Sequence, residues 1–178
     1  MITPRQSRLR YAIVVCAAVV AAVFVAGSSR AAGLDLHARA DAKDVGLPLY
    51  PGAVKKTDGD GDAGAVSLGV WGGSFGFRLA VVSYRSADSV EKVAAFYREA
   101  MGRYGPVLDC TNAHGRSRDE GPGKADRDRP VTCDNEGVEA GGRLYKVGVR
   151  DSQRVFKVAP DGTGASFTLV GIELHGED

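Results

Sequence analysis

Apolar side chains recur along this chain with two distinct periods, and each period predicts a different kind of element. Val66, Leu68 and Val70 alternate with small or polar residues, and so do Phe75, Phe77, Leu79 and Val81. Alternation of period two is the mark of a half-buried strand, and Gly72-Gly73 between the two runs predicts a β-hairpin. Further on, Val90, Val93, Ala94, Tyr97, Ala100, Met101 and Tyr104 share an arc of roughly 120° when wound at about 100° per residue, which predicts an amphipathic helix. Asp88-Ser89-Val90-Glu91 supplies a capping-box-like start and Gly105-Pro106 the stop. Phe96 borders the apolar face, while Glu99 and Arg103 sit four residues apart on the polar side. An aromatic stripe at this spacing is read as core packing rather than a ligand box.

Beyond the helix come Val107-Leu108 and then a carboxy-terminal meander of Leu144–Val149, Val155–Ala159 and Ala165–Leu174, with an Asp161-Gly162 turn before the last strand. Alternation slips between Leu169 and Val170, which predicts either a bulge or a strand covered on both faces. Together these elements predict an α+β fold: a single antiparallel β-sheet of about five to six strands with one amphipathic helix packed on one face.

The amino terminus has a different pattern. Arg5, Arg8 and Arg10 precede an uncharged apolar run from Ala12 to Ala26, followed by Gly27-Ser28-Ser29-Arg30-Ala31-Ala32. A basic segment, an apolar run and small residues beyond it form an export signal. About fifteen apolar residues rise about 22 Å as a helix, short of the roughly 30 Å hydrocarbon core, which favours cleavage. Extension through Tyr11 and Gly27 with snorkelling arginines would instead retain it as an anchor. Residues 1–33 are therefore a signal peptide or an N-terminal membrane anchor. Val15 precedes Cys16 too early in the run for lipid attachment, so Cys16 is read as a small apolar residue. Residues 34–46, rich in alanine and charge, are expected to form a flexible tether, and 47–178 a single domain. The rest of the protein is expected outside the cytoplasmic membrane, periplasmic, extracellular or anchored facing outward.

Export changes how the other two cysteines read. In an oxidising compartment Cys110 and Cys133 are expected to form a disulfide. Between them, Arg116, Arg118, Lys124, Arg127 and Arg129 face Asp119, Glu120, Asp126 and Asp128 around Gly121-Pro122-Gly123. Without large apolar groups such a segment cannot bury itself, so a disordered loop is expected at 111–130, stapled at its base.

Charge excludes one class of partner. Lysine plus arginine number 23 and aspartate plus glutamate 22, a net +1, so nothing points to nucleic acid.

Several patterns resemble sites. Gly72-Gly73-Ser74-Phe75-Gly76 satisfies G-x-S-x-G, and Ser74, Asp109 and His114 or His175 fall in hydrolase order. The serine precedes a strand, however, where an elbow needs a strand-to-helix turn, and both histidines fall in segments read as poorly held. Asp58, Asp60 and Asp62 have the spacing of a calcium loop, but Ala63 stands where glycine is needed and Gly69 where a bidentate glutamate should be. Gly123-Lys124 lacks the upstream glycine and following hydroxyl of a phosphate loop, those places being held by Arg118 and Ala125. His37, His114 and His175 have no metal-ligand spacing. Trp71, the single tryptophan, is read as a core-edge residue, with an exposed anchor as the alternative.

Leu49-Tyr50-Pro51-Gly52-Ala53, Asp88-Ser89 with Val93 and Phe96-Tyr97, the cysteine pair, and Phe167-Thr168-Leu169-Val170 together resemble a group of uncharacterised exported bacterial proteins. The resemblance covers most of residues 47–174 and rests on turn and packing motifs. It implies no activity and transfers no functional residue. The expected function is an exported cell-envelope protein serving as a non-enzymatic binding or structural module. No catalytic, cofactor-binding or metal residues and no cofactor are assigned, and the one partner named is the membrane, through the N-terminal segment if uncleaved. The alternatives are a serine hydrolase using Ser74 and a calcium-binding domain using Asp58, Asp60 and Asp62.

Overall fold

The computed structural model describes residues 33–37, 40–57, 64–112, 128–133 and 137–176. Both alternating runs form the predicted hairpin: β3 spans Ala65–Gly72 and β4 spans Phe75–Ser86, joined through Gly73, whose φ of 63° suits a residue without a Cβ. The meander also forms, as β6 (Arg143–Val149), β7 (Ser152–Asp161) and β8 (Gly164–Gly176). Three short strands complete the set: β1 (Gly33–His37), β2 (Val54–Lys55) and β5 (Leu108–Asp109). All eight belong to one antiparallel sheet of order β1-β3-β4-β8-β7-β6-β5, with β2 pairing the end of β4. The expectation of five to six strands is corrected to eight among the described residues. Strands of two to five residues carry too little alternation to register as a period.

Residues 34–46 are corrected more sharply. The tether expected there is a strand up to His37 and, from Ala42 to Val45, a short helix α1. Ala40, Ala42, Val45 and Leu47 are buried. Small residues look uninformative in sequence, but here their size is what lets the backbone lie on the sheet: a Cβ added to Gly171 would sit 3.1 Å from the Val45 Cα. The folded unit thus starts ahead of residue 47. Of the expected disordered loop, Thr111, Asn112 and Asp128–Pro130 are placed, with Pro130 bridging Val149, and 113–127 lie outside the described residues.

The predicted amphipathic helix is α2, Val90–Met101, followed by a 3-10 turn over Gly102–Tyr104. Ser89 holds the N-cap position but makes no side-chain cap bond. The helix packs on β6, β7 and β8, and α1 on β4 and β8. Between helices and sheet lies a core built on aromatic rings. Tyr97 stacks on Phe156 at 4.7 Å, Phe156 on Tyr145 at 5.7 Å and Tyr84 on Phe167 at 5.5 Å. Tyr50, from the Pro51-Gly52 turn, meets Phe96 edge-on at 5.1 Å. Val170 pairs Val81 in unbroken register, so the slip at Leu169 is not a bulge; β8 is apolar on both faces there.

Cys110 and Cys133 are joined in a disulfide with Cα atoms 5.3 Å apart. Cys110, Val131 and Leu144 are buried but stand outside the main core cluster. Among the described residues no helix is long and apolar enough to cross a membrane; the Ala12–Ala26 run and Cys16 lie outside them.

Candidate functional site

The sheet is longer than its cover. Thirteen residues of β8 extend about 44 Å, whereas the twelve of α2 rise about 18 Å. One end of the helix-bearing face therefore overhangs, and exposure rises from buried Ala80 and Gly171 to exposed Trp71, Arg78 and His175. A cleft of about 690 Å³ opens there, walled by Asp44 of α1.

Strand register arranges its floor in two transverse rows. Asp35 pairs Gly69, Gly69 pairs Arg78, and Arg78 pairs Glu173, so three charged side chains of alternating sign lie in one row with a glycine gap. In the next row Gly33 pairs Trp71, Trp71 pairs Gly76, and Gly76 pairs His175. The indole of Trp71 occupies the glycine gaps: an added Cβ would sit 2.0 Å from its Nε1 at Gly33 and 2.5 Å from its Cζ3 at Gly69. An aromatic ring laid over strand glycines covers backbone that no other side chain shields. Trp71 nonetheless stays 48% exposed, so the core-edge reading is corrected to a half-open platform. Glu173 is oriented by Arg154, whose Nη2 donates to its carboxylate at 2.7 Å. The arrangement offers a flat apolar surface beside carboxylate acceptors and a guanidinium donor, which suits binding of a polar ligand with one apolar face.

Comparison with protein-family models, curated proteins and solved structures returned no match. The cleft has to be read from its own residues.

Of the proposed hydrolase set, Ser74 sits exposed in the turn between β3 and β4. His175 is not in a loose tail, as expected, but in β8 opposite Gly76, which brings it to the same end of the sheet. Asp109 lies on β5, four strands from β4 in the sheet order, or about 19 Å across. Burial pushes its carboxyl up, but hydrogen bonds from the Thr111 hydroxyl and amide and the charges of Arg98 and Arg143 leave it below the usual range. His114 lies outside the described residues. Ser74 and His175 thus share an end of the sheet, and Asp109 does not join them. Asp58, Asp60, Asp62 and Gly123-Lys124 also lie outside the described residues, among which no group of three or more metal-ligating side chains gathers. His37 is a strand residue of β1.

Asp35, Asp44, Arg78 and Glu173 escaped the sequence reading. They come from four elements, and only the glycines spaced two apart from Trp71 and from Arg78 hint that one face was left open for a ring.

Proposed function

We propose that this protein is an exported, non-enzymatic binding module of the cell envelope, of the group its sequence resembles, and that it takes its ligand in the cleft over Trp71. The observation that carries the reading is the half-exposed indole laid over Gly33 and Gly69 beside Asp35, Arg78 and Glu173. Export is supported by the basic, apolar and small-residue pattern of residues 5–32 and is compatible with the disulfide. Saccharides are the chemical class with both a C–H face to stack on an indole and hydroxyls to donate to carboxylates.

Trp71 is the single tryptophan, so its emission reports on the cleft directly. Titrating the full chain with neutral oligosaccharides is expected to give a saturable change in emission and to shield the ring from iodide, both abolished by Arg78→Ala. A featureless titration with unchanged iodide quenching would remove the saccharide reading.

A further inference from the structure

The opposite face of the overhanging end has a different character. Positions alternate along each strand, so the charged row of the cleft has an apolar row behind it: Leu36 pairs Leu68, Leu68 pairs Leu79, and Leu79 pairs Ile172. At its margin Leu34 is 72% exposed, Leu36 67%, Phe75 52% and Val66 43%. A contiguous apolar surface of this kind is unusual on a monomeric soluble protein and marks a contact site. The sequence says where it lies. Gly33, the first residue of β1, pairs Trp71 beside the hairpin turn, so the chain reaches the sheet at this same end. Only residues 27–32 separate Gly33 from the Ala12–Ala26 run, at most about 24 Å of extended chain.

We propose that this face, carried by Leu34, Leu36, Val66 and Phe75, seats on the surface of a lipid bilayer. The inference rests on the reading of residues 1–33 as an export segment, taken in its retained form. A segment inserted in the bilayer holds the overhanging end within reach of the interface, where exposed leucine and phenylalanine side chains enter the headgroup and acyl boundary. Segregation of Asp35, Arg78 and Glu173 to the other face leaves the row of Leu36, Leu68, Leu79 and Ile172 without a charged strand residue to desolvate, among the described residues, and keeps the cleft turned away from the lipid. A second copy of the chain could cover the same face, but nothing about a dimer would place the most exposed apolar residues at the end of the sheet where the chain enters β1.

The test uses the full chain with its single tryptophan moved to this face, Trp71→Phe with Phe75→Trp, in vesicles of equal parts phosphatidylcholine and phosphatidylglycerol. The chain is expected to float with the vesicles, and the tryptophan at position 75 to be quenched by brominated acyl chains and shielded from iodide. Adding Leu34→Asp and Leu36→Asp should restore iodide quenching without preventing flotation. Flotation with full iodide quenching and none from brominated lipid overturns the proposal and leaves the anchor standing. Shielding from iodide without lipid quenching, accompanied by a doubled mass on cross-linking, overturns it in favour of a second copy. Failure to float removes the retained anchor and the proposal together. Should the moved tryptophan disturb folding, amide exchange of the unsubstituted chain gives the same decision: vesicles should slow exchange across Gly33–His37, and unchanged rates there refute the contact.

Discussion

The hydroxyl of Tyr97 accepts a hydrogen bond from the backbone amide of Tyr50 at 3.2 Å. It donates in turn to the Pro48 carbonyl, also at 3.2 Å, and the residue is fully buried. One side chain of α2 thereby satisfies two backbone groups of the segment that leads from α1 to β2. Tyr97→Phe leaves both without that partner and is expected to cost about 1–3 kcal/mol. A lowered urea midpoint at unchanged slope checks it.

Stability should be lost at both ends of the pH scale. Burial, above all, holds the hydroxyls of Tyr97, Tyr84 and Tyr50 above the usual tyrosine range. Their contribution is complete below about pH 10, the unfolded value, and is lost as pH rises through the folded ones. Conversely, the Tyr50 hydroxyl and then Lys92 hold Asp88 below the usual carboxylate range, and Lys55 does the same for Asp41. That contribution is present above about pH 4 and is lost as pH falls through the folded values. Melting temperatures across pH should show a plateau between these limits, and Asp88→Asn should flatten the acid limb.

Arg154 is 7% exposed and joins three elements. Its Nε donates to the Val45 carbonyl that ends α1 at 3.3 Å, its Nη1 to Ser152 Oγ at 2.8 Å and its Nη2 to Glu173, while the guanidinium lies 4.5 Å from the centre of the Tyr104 ring. Arg154→Ala is expected to cost about 3–5 kcal/mol, and Arg154→Lys to recover only part, since an ammonium lacks the planar fork. Chemical denaturation of the pair distinguishes lost geometry from lost charge.

Reduction of Cys110–Cys133 releases a loop closed over a separation of 23 residues. The loop-entropy relation puts the loss at about 3 kcal/mol. Cys110→Ser with Cys133→Ser should reproduce the effect of reductant, and native protein should show neither thiol until it is reduced.

Gly69→Ala tests the floor of the cleft. The new methyl would stand 2.5 Å from the indole, so the ring has to lift from the sheet. Trp71 emission should shift to the red and become more sensitive to iodide. An unchanged spectrum would show that the ring does not lie over this glycine.

The elements legible in the sequence were those whose own residues carry the signal. Twelve residues of α2 and the long strands repeat their period often enough to be read locally, and Gly72-Gly73 marks the turn whatever surrounds it. Alanines 40 and 42 carry no such signal. Their burial depends on α1 lying against a sheet built from strands far along the chain, where Val45 sits close over Gly171. The same holds for His175, whose place opposite Gly76 depends on β8 continuing in register past Leu174.

By itself the sequence determined the periods, and with them the type of each long element, which residues of a strand share a face, and which two cysteines outside the amino-terminal run were left to pair. Tertiary structure alone decided which strands are neighbours without a tight turn between them, as β1 and β3 or β4 and β8 are. Period two assigns a side chain to a face but is blind to what lies beside it, so the row of Asp35, Arg78 and Glu173 and the seating of Trp71 over Gly33 and Gly69 arise only when β1, β3, β4 and β8 align.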